Sequence, residues 1–492
     1  MGYDVYVTRV KNIRPAENAD RLNLCEVFGN TTVVDKTVNE NDLYLYFPVD
    51  GQISVEYGEA NNLFRKKDSA GNSIGGFIDP EKRRITALRL RGNRSDGLVM
   101  PLKSLDFFGD TSTLKEGDRV SVFNGHEIAC KYVVVRQAAP HDNANGNRTR
   151  KKVMPVAPLF MEHADTEQLA YHLAAFKPGD EVEISLKMHG TSQRTAYVPV
   201  FKGFKRTLWD KICRREGTPI YEWGYVSGTR RVVLDDYEGG FYGSNAFRER
   251  HSKKFEGKLH KGETVYYEVV GFTSTGAPIM GDADNRKLND KEFVKQYGPV
   301  TTFSYGCEPN PATIKFDGKD IVSIDGKDVP ADCYVTAKLQ SQSDIYVYRM
   351  TMTNEDGDVV EYTPDFMRYR CEQMGVKCVP VFWKGVIPEY EDVIYVDENG
   401  NDECDEGEVK MVKPINAGEW VMKKAEEFYD GPDPVGKTHV REGVVVRINN
   451  RPKFTAYKHK NFSFKVLSGI AIAQAEESGA VDGAAADMLA EM

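Results

Sequence analysis

A lysine with a glycine three residues later follows a predicted strand near the middle of the chain. Residues 182–186 alternate apolar and polar side chains, and Lys187 opens the next tetrapeptide, Lys-Met-His-Gly, which is followed by Thr191 and Ser192. A lysine amine attacks phosphorus only after it loses its proton, and burial or a neighbouring positive charge lowers its pKa enough for that. The end of an apolar strand supplies such burial. The pattern predicts a nucleophilic lysine beside a phosphate site.

Four short blocks further along the chain each predict a strand with charged or aromatic side chains. In order they are 266–271 (Tyr-Tyr-Glu-Val-Val-Gly), 345–348 (Ile-Tyr-Val-Tyr), 441–447 (Arg-Glu-Gly-Val-Val-Val-Arg) and 457–460 (Tyr-Lys-His-Lys). Glu268 and Glu442 stand among small and β-branched residues, which suits carboxylates that orient a lysine, bind Mg²⁺ or hold ribose hydroxyls.

The last block predicts an anion-binding strand. Lys458 and Lys460 alternate, so both point to one face of a strand, and His459 points to the other. No Asp or Glu stands between Glu442 and Glu476, although the whole chain has a net charge of −9. This local excess of positive charge suits an α-phosphate and its leaving group.

In this order the blocks resemble the covalent nucleotidyltransferases, which include ATP-dependent RNA and DNA ligases and mRNA capping enzymes. The forms Lys-x-His-Gly-Thr, Glu-Gly-Val-Val-Val-Arg and Lys-x-Lys are most similar to nick-sealing RNA ligases, and the resemblance covers residues 181–465. It implies an attack of Lys187 on the α-phosphate of ATP, which leaves a lysyl-adenylate and releases pyrophosphate. The catalytic residues it implies are Lys187, Glu268, Glu442, Lys458 and Lys460.

The resemblance also implies an ATP-binding set and a metal. His189, Gly190, Arg230, Tyr348 and Lys187 itself would contact ATP, with the adenine stacked on Tyr348. Glu268 and Glu442 would bind Mg²⁺, with Mn²⁺ as an alternative. The simpler alternatives are a turn-capping role for His189 and a core position for Tyr348, and core positions are favoured for Phe303 and Tyr305.

Two features depart from the pattern or leave it open. Arg349 follows Tyr348 where the resembling ligases usually carry an aspartate, which puts the role of that acid in doubt. Spacing does not decide between Arg230 and Arg231 as the phosphate contact.

Residues 1–135 predict a small β-barrel. Strands are expected at 5–10, 22–27, 31–34, 42–47, 83–89, 97–101 and 119–123. Residues 13–22 (Ile-Arg-Pro-Ala-Glu-Asn-Ala-Asp-Arg-Leu) resemble the start of tRNA-binding OB modules and of the amino-terminal OB domain in one branch of RNA ligases. An OB domain binds nucleic acid, although a supporting module without binding is the alternative.

The expected fold class is α+β, with this OB-like barrel followed by an ATP-grasp-like ligase domain of antiparallel sheets with helices. Residues 136–155 are expected to form a linker, 156–468 the adenylyltransferase domain, and 469–492 an Ala-rich tail. Asp-Gly pairs at 317–318 and 325–326 predict a β-hairpin insertion, and 418–430 predicts a helix. The acidic run 397–408 is expected to lie away from the substrate, whereas the basic run 148–152 suits a nucleic-acid strand. The chain after Lys460 is short for a second OB domain, which favours RNA ligases over DNA ligases and capping enzymes.

Composition narrows the class of protein. The chain has 492 residues, 40% of them hydrophobic, which is enough for two or three packed domains. No apolar stretch is long enough for a membrane span, and the amino terminus has no secretory signal pattern. The 8 cysteines form no Cys-x-x-Cys pair, which indicates reduced thiols and argues against a zinc site. A cytoplasmic monomer with no membrane partner is expected.

The sequence thus predicts an ATP-dependent RNA ligase that seals 3′-hydroxyl/5′-phosphate breaks, with RNA or an RNA-containing nicked duplex as its partner. Two alternatives stay open. One is an RNA-binding protein that has lost catalysis, for which Arg349 is the hint. The other is a GTP-using enzyme of the capping type.

Overall fold

A computed structural model gives the structure of the chain. It describes residues 3–67, 69–71, 73–133, 156–163, 165–230, 232–234, 237, 245–273, 279–302, 315–316, 321–324, 327–330, 343–391, 394–395, 400–401, 409–411, 413–435 and 439–478. The chain divides into two compact units. The first comprises Met1–Arg136, Lys287–Asp290 and Phe462–Glu476, and the second comprises Gln137–Arg286, Lys291–Asn461 and Glu477–Met492.

Short strands dominate both units. Up to residue 136 they are β1 Tyr6–Thr8, β2 Lys11–Pro15, β3 Leu22–Val27, β4 Asn30–Asp35, β5 Tyr44–Phe47, β6 Gly51–Ile53, β7 Lys66–Lys67, β8 Ser73–Gly75, β9 Leu88–Leu90, β10 Asn93–Ser95, β11 Leu98–Pro101, β12 Val122–Phe123, β13 His126–Glu127 and β14 Ala129–Lys131. Further along they are β15 Glu167–Gln168, β16 Glu181–Leu186, β17 Thr191–Lys205, β18 Thr218–Gly228, β19 Glu263–Val270, β20 Asp282–Asp284, β21 Val300–Thr302, β22 Lys315–Phe316, β23 Ile321–Ile324, β24 Lys327–Pro330, β25 Asp344–Thr353, β26 Val359–Glu361, β27 Lys377–Cys378, β28 Val381–Val386, β29 Ile394–Tyr395, β30 Val409–Met411, β31 Gly443–Ile448 and β32 Thr455–Lys460.

The α-helices are fewer. They are α1 Val55–Ala60, α2 Leu208–Ile212, α3 Ala246–Ser252, α4 Lys291–Tyr297, α5 Pro364–Met374, α6 Ala417–Glu426 and α7 Phe462–Ser478. Of the helices that the structure describes, none combines the length and apolar character needed to cross a membrane. The chain is therefore of mixed α+β class, as predicted.

The first unit consists of small sheets around one core. Strands β1, β5 and β11 form one three-stranded sheet, and β2, β3 and β4 form another. Every residue of β5 is buried, and the core contains residues such as Val7, Phe47 and Tyr57. Within the described part of the chain no strand ladder joins the two three-stranded sheets into a closed ring. The predicted OB barrel is therefore not confirmed.

Most of the strands predicted in the first unit are present, with bounds that match at 22–27, are longer at 31–34 and are shorter elsewhere, but the strand predicted at 83–89 is wrong. Only Leu88–Leu90 forms a strand there. The preceding residues are instead joined to the chain around β6 by single backbone hydrogen bonds. Ile85 N donates to Gly51 O, and Ile53 N donates to Arg83 O. The sequence analysis also missed β2 and α1.

Helix α7 belongs largely to the first unit. The guanidinium groups of Arg89 and Arg94 lie 5.7 and 5.3 Å from the centre of the Phe462 ring, and Lys465 Nζ lies 2.6 Å from Asp96 Oδ2. The helix runs on to Ser478, so it crosses residue 468, where the sequence analysis ended the adenylyltransferase domain.

The second unit is built on two sheets. One has the order β15-β32-β31-β16-β28, and the other has the order β18-β17-β19-β25-β26, with β27 paired to β25. Strand β16 belongs to the first of these sheets and β17 to the second. The tetrapeptide that starts at Lys187 is therefore the crossing from one sheet to the other.

Apolar alternation explains why β16 lies inside its sheet. Val182, Ile184 and Leu186 are almost fully buried, and Leu186 pairs with Val444 of β31. The polar residues that alternate with them on the opposite face are also under 10% exposed, and burial on both faces is typical of a central strand. The chemical residues follow at its carboxyl end, where the chain leaves the sheet.

Two predicted elements of the second unit are confirmed. Helix α6 begins one residue before the predicted 418–430 and ends at Glu426, with Val421 and Ala425 fully buried. The hairpin insertion is present, because β23 pairs antiparallel with β24. Other expectations lie outside the described residues: the linker, the basic run 148–152, most of the acidic run 397–408, Phe303, Tyr305 and Arg231.

Candidate active site

Lys187 is fixed by the strands on either side of it. Its backbone N donates to Gly443 O at 3.0 Å, and the preceding Leu186 N donates to Pro380 O at 2.8 Å. The side chain is 22% exposed, and its Nζ lies 2.8 Å from Glu442 Oε1. The amine is thus partly desolvated and aimed at a carboxylate.

Glu442 is the centre of a cluster of positive groups. Besides Lys187, Lys460 Nζ lies 3.1 Å from Oε1 and His189 Nδ1 lies 3.1 Å from Oε2. The Glu442 side chain is 1% exposed. Burial alone would raise the pKa of Glu442, but Lys187, Lys460 and His189 together lower this pKa well below its ordinary value. The buried carboxylate therefore stays charged.

A glycine positions Glu442. Gly443 has φ +145°, and a Cβ there would lie 2.1 Å from His459 O, so no larger residue fits without displacing backbone. The carbonyl of Glu442 accepts a hydrogen bond of 2.8 Å from Asn461 N. The Glu-Gly pair thus starts β31 directly against the end of β32.

Lys458 shares a face of β32 with Lys460, as alternation predicted. It pairs with Val445 across the sheet, and Lys460 pairs with Gly443. Burial, followed by the charges of Lys460 and Lys187, lowers the pKa of Lys458 to about 7. His459 is buried on the other face and stacks on Tyr429, with ring centres 4.8 Å apart. Three lysines therefore gather around one carboxylate.

Glu268 belongs to the second sheet and is hydrogen-bonded to the tetrapeptide that starts at Lys187. Its Oε1 accepts a hydrogen bond of 3.2 Å from Gly190 N. A Cβ at Gly190 would lie 2.3 Å from Val269 O and 2.7 Å from Val270 Cγ1. Glycine is needed here because the turn lies directly on β19.

Gly190→Ala is expected to destabilise the second unit by about 1–3 kcal/mol, because the added methyl overpacks against backbone. The measurement is chemical unfolding. Gly469→Ala is the matched control, since a Cβ there meets nothing within 4 Å and alanine favours a helix. Equal stability of the two variants would contradict the close packing at Gly190.

Tyr348 lies at a β-bulge. Tyr266 pairs with Arg349 and Tyr267 with Val347, so Tyr348 is the extra residue of β25. Its hydroxyl lies 3.0 Å from that of Ser192, and its ring is 5.1 Å from the His163 ring. Burial raises the pKa of Tyr348. The ring packs against an apolar cluster made of Leu186, Met188, Val270, Tyr346, Val379 and Val435, with Phe382.

The positive charge of Arg349 is balanced by an acidic side chain inside the protein. Its guanidinium forms an ion pair with Glu361, both side chains being under 10% exposed. It also lies 4.7 Å from the Tyr266 ring centre and 4.8 Å from that of Phe454. The residue that departs from the ligase pattern therefore has a structural partner, which sequence reasoning missed.

Arg230 forms an ion pair with Asp165, and the backbone of His163 is hydrogen-bonded to the backbone of Arg230. Arg230 NH1 donates to Asp165 Oδ1, and His163 N donates to Arg230 O at 3.4 Å. Burial, and then the charges of Arg349, Arg230 and Arg194, lower the pKa of His163 well below its ordinary value. Sequence reasoning missed both partners, because they lie in a segment with no periodic pattern.

Arg248 is a further residue that the sequence analysis missed. It is 3% exposed and donates to Ser192 O at 3.0 Å and to the Thr191 hydroxyl at 2.5 Å. It stands in helix α3, far from the motif in sequence. It fixes the start of β17, just after the tetrapeptide.

The described residues can be compared with the ligand set that a metal ion needs. Across the described ranges, no group of three or more His, Cys, Asp or Glu side chains is placed to hold a metal ion. Glu442 already contacts two lysines and a histidine. Glu268 offers a hard carboxylate, and Mg²⁺ commonly takes one or two carboxylates and completes its shell with phosphates and water. The residues therefore fit a metal that arrives with a phosphate ligand.

The chain is similar to several solved structures that share little sequence identity with it. A mutant of the Naegleria gruberi RNA ligase with ATP and Mn is 16% identical, with a TM-score of 0.49, and the match covers 95% of this chain and 99% of the other. The same ligase with PPi is 15% identical, with a TM-score of 0.48 and coverage of 96% and 98%. A mutant with AMP and Mn is also 15% identical, with a TM-score of 0.48 and coverage of 94% and 97%.

No protein-family model matches the chain, and no curated protein matches it.

Proposed function

We propose that this protein is an ATP-dependent RNA ligase that works through a lysyl-AMP intermediate and seals 3′-hydroxyl/5′-phosphate breaks. The observation that carries the proposal is the convergence of Lys187, His189 and Lys460 on the buried Glu442, with Lys458 on the same strand face. One amine is available as nucleophile, and the other cations can receive the phosphates.

In the first step Lys187 Nζ attacks the α-phosphorus of ATP. A nitrogen–phosphorus bond forms, the bond to the β-phosphate oxygen breaks, and pyrophosphate leaves with its electron pair. The amine loses its proton to solvent. Glu442 fixes the position of the amine through the 2.8 Å contact, which matters because positioning supplies much of the rate in phosphoryl transfer.

Lys458 and Lys460 would hold the α-phosphate and the departing pyrophosphate. Both flank the amine, and cations aimed at developing negative charge stabilise the transition state. Mg²⁺ or Mn²⁺, held by Glu268 together with the phosphates, would neutralise further charge when bound. Tyr348 and the apolar cluster beside it offer the adenine a stacking surface.

The two later steps use the same site. AMP passes from Lys187 to a 5′-phosphate, which forms a phosphoanhydride and frees the amine. The 3′-hydroxyl of the adjoining strand then attacks that phosphate, forms the phosphodiester and releases AMP. The RNA substrate, the nicked-duplex preference and a monomeric state rest on the sequence resemblance.

The test follows label from ATP to RNA. Protein with Mg²⁺ and ATP labelled at the α-phosphate should give a labelled band on a denaturing gel. Adding a nicked duplex with a 3′-hydroxyl RNA strand and a 5′-phosphate should move the label to the 5′ end and then release it as AMP with a sealed product. Label from GTP alone would indicate a capping-type enzyme, and no label from either nucleotide would leave RNA binding as the function.

A second prediction uses the lowered pKa of Lys458. With a pKa of about 7, the amine is about half protonated at pH 7 and mostly neutral at pH 8. A bound phosphate raises that pKa, so at pH 8 pyrophosphate binding to the wild type should take up nearly one proton more than binding to Lys458→Met, whereas at pH 6 the two should differ very little. The ionisation of pyrophosphate itself is common to both proteins. Calorimetry in two buffers of different ionisation enthalpy measures the uptake.

Lys458→Met should abolish the extra proton uptake and weaken pyrophosphate binding about 10-fold or more. Lys453→Met, at an exposed lysine shortly before the same strand, is the control and should leave both quantities unchanged. Full proton uptake in Lys458→Met would assign the titration to another group.

A further inference from the structure

The hairpin formed by β17 and β18 is much longer than the sheet it belongs to. Its pairing runs from Arg194 with Gly228 to Lys205 with Thr218, whereas β19 pairs with β17 only as far as Ala196. At about 3.3 Å per residue the paired part is about 35 Å long. Its base is next to Gly190 and Arg230, so the hairpin projects away from the candidate active site.

The two faces of the hairpin differ. Ala196, Val198 and Val226 face a core that includes Ala157 and Phe160. The opposite face carries the aromatic strip, defined as Tyr197, Phe201, Tyr221, Trp223 and Tyr225, all of them partly exposed.

Neighbouring rings touch along the aromatic strip. Tyr197 stacks on Tyr225 at 4.7 Å and lies 5.7 Å from Trp223, and Phe201 lies 5.7 Å from Tyr221. Lys261 Nζ lies 5.1 Å from the centre of the Trp223 ring. Rings that hold one another in place form a rigid surface, which loses little entropy when a flat ligand stacks on it.

The hairpin tip, residues 206–217, is an ordered turn with exposed apolar side chains. Thr207 and Asp210 form a reciprocal capping box at the start of α2, and Arg215 N donates to Asp210 O at 2.8 Å. Leu208, Trp209 and Ile212 are nevertheless 78%, 74% and 70% exposed. A structured turn that presents large apolar groups to solvent is typical of a binding surface.

Positive charge surrounds this tip. The basic residues of the hairpin end are all exposed: Lys202, Lys205, Arg206, Lys211, Arg214 and Arg215. Asp210 and Glu216 are the acidic residues of the same stretch, in a chain of net charge −9. Charge of this sign favours a polyanion.

We propose that the aromatic strip and the basic hairpin tip bind an unpaired stretch of nucleic acid that lies beyond the base pairs flanking the break. Exposed aromatic rings beside a row of cations suit unpaired bases and their phosphates. An anionic membrane is less well matched, because a five-residue helix buries little apolar area. The strand binding stands by itself, and only the location of the break rests on the proposed ligase function.

The test compares RNA binding with adenylylation in the full-length protein. The probe is a fluorescent single-stranded RNA of about 24 nucleotides, long enough to cover the hairpin. Lys211→Gln/Arg214→Gln/Arg215→Gln should weaken binding about 10-fold or more and reduce the salt slope of log K by about 2. Lys291→Gln/Lys295→Gln/Lys423→Gln removes the same charge from exposed positions elsewhere in the second unit and should change neither.

Trp209 separates stacking from simple apolar contact. Trp209→Phe should retain most of the RNA affinity, whereas Trp209→Leu should lose about 5-fold or more, because only an aromatic ring offers a face to a base. If leucine serves as well as phenylalanine, the tip contacts a protein or lipid surface and the proposal is wrong. Binding to anionic vesicles in place of RNA would overturn it in the same way.

Labelling by ATP distinguishes this proposal from the ligase proposal. The tip variants should form labelled protein at the wild-type rate, since they leave the lysine cluster intact. Normal labelling with unchanged RNA binding would overturn the hairpin proposal alone. Absent labelling in every protein, with tip-dependent RNA binding, would overturn the ligase proposal alone.

A crosslinker on Cys213 can measure how far the RNA at the hairpin tip lies from the 5′-phosphate. Cys213 is exposed at the tip, so a thiol-linked photo-crosslinker can be attached there, with Cys213→Ser as the control. Since the hairpin is about 35 Å long and a nucleotide spans about 3.4 Å when stacked and about twice that when extended, crosslinks are expected about five to ten nucleotides from the 5′-phosphate. Crosslinks at the phosphate itself, or equal crosslinking of the serine variant, would contradict the proposed path.

Discussion

Lys187→Arg is expected to lower the yield of labelled protein from ATP by at least about 10³-fold while the protein stays folded. A guanidinium keeps the positive charge beside Glu442 but stays protonated at all relevant pH values, so it cannot attack phosphorus. Loss of a nucleophile typically removes nearly all of the rate. The measurement is the initial rate of labelling with ATP, together with thermal unfolding of each variant.

Lys460→Arg is the matched control, because Lys460 contacts the same Glu442 oxygen at a similar distance, 3.1 Å against 2.8 Å for Lys187. We expect it to retain covalent label at a reduced rate. The reverse result, with label lost in Lys460→Arg and kept in Lys187→Arg, would assign the nucleophile to Lys460. Lys187→Arg should also still seal RNA that already carries 5′-AMP, since the attack of the 3′-hydroxyl does not need the lysine amine as nucleophile.

Much of the geometry of the lysine cluster could be predicted from the sequence, because each part is local. Strand alternation places Lys458 and Lys460 on one face, and apolar alternation buries β16 up to Leu186. Alternation could not predict that these strands meet at Glu442. That contact depends on the sheet order β32-β31-β16, which is a long-range property.

Other features could not be predicted because they depend on irregular backbone. The bulge at Tyr348 brings two successive residues of β25 against His163: the Tyr348 ring, and Arg349 NH1 at 3.2 Å from Nδ1. A regular strand would have sent them to opposite faces. The pairing of Arg230 with Asp165 likewise joins a strand end to a segment without periodicity.

The predicted barrel shows a different limit. Short alternating strands in the first unit were correctly located in most cases, yet local patterns do not specify whether sheets close. Closure depends on which edges pair, and the described ladders stop at three strands. The irregular bonding of residues 83–85 along β6 is one place where a strand pattern was replaced by single long-range bonds.

Glu442→Gln is expected to destabilise the second unit by about 2–3 kcal/mol and to reduce labelling by ATP at least about 100-fold. The carboxylate is 1% exposed and compensates Lys187, Lys460 and His189. Removing one member of a buried charge cluster leaves the others without compensation. This expected destabilisation is smaller than is typical for breaking a buried ion pair, because both lysine side chains remain partly exposed to water. Thermal unfolding and the labelling rate measure the two effects.

The pH dependence follows from the sign of the pKa shift. The folded-state pKa of Glu442 is well below its ordinary value of 4.5, so its ionisation stabilises the fold at pH values above about 4.5. That stability is lost as the pH falls below 4.5 toward the folded pKa. The difference in stability between the wild type and Glu442→Gln should therefore be largest at neutral pH and should shrink on acidification. A difference that stays constant would mean that the glutamine variant is destabilised by packing rather than by charge.

Glu263→Gln separates stability from chemistry. Glu263 is also fully buried and ion-paired, with Arg370 NH2 at 2.8 Å from its Oε2, but it begins β19, five residues before Glu268. Arg370 likewise lowers its pKa, against the opposing effect of burial. This variant should be destabilised to a similar extent and should still form labelled protein at temperatures where it is folded. If Glu263→Gln lost label as strongly as Glu442→Gln, the loss would reflect any disturbance of a buried ion pair in the second unit, and a specific role of Glu442 in orienting Lys187 would be excluded.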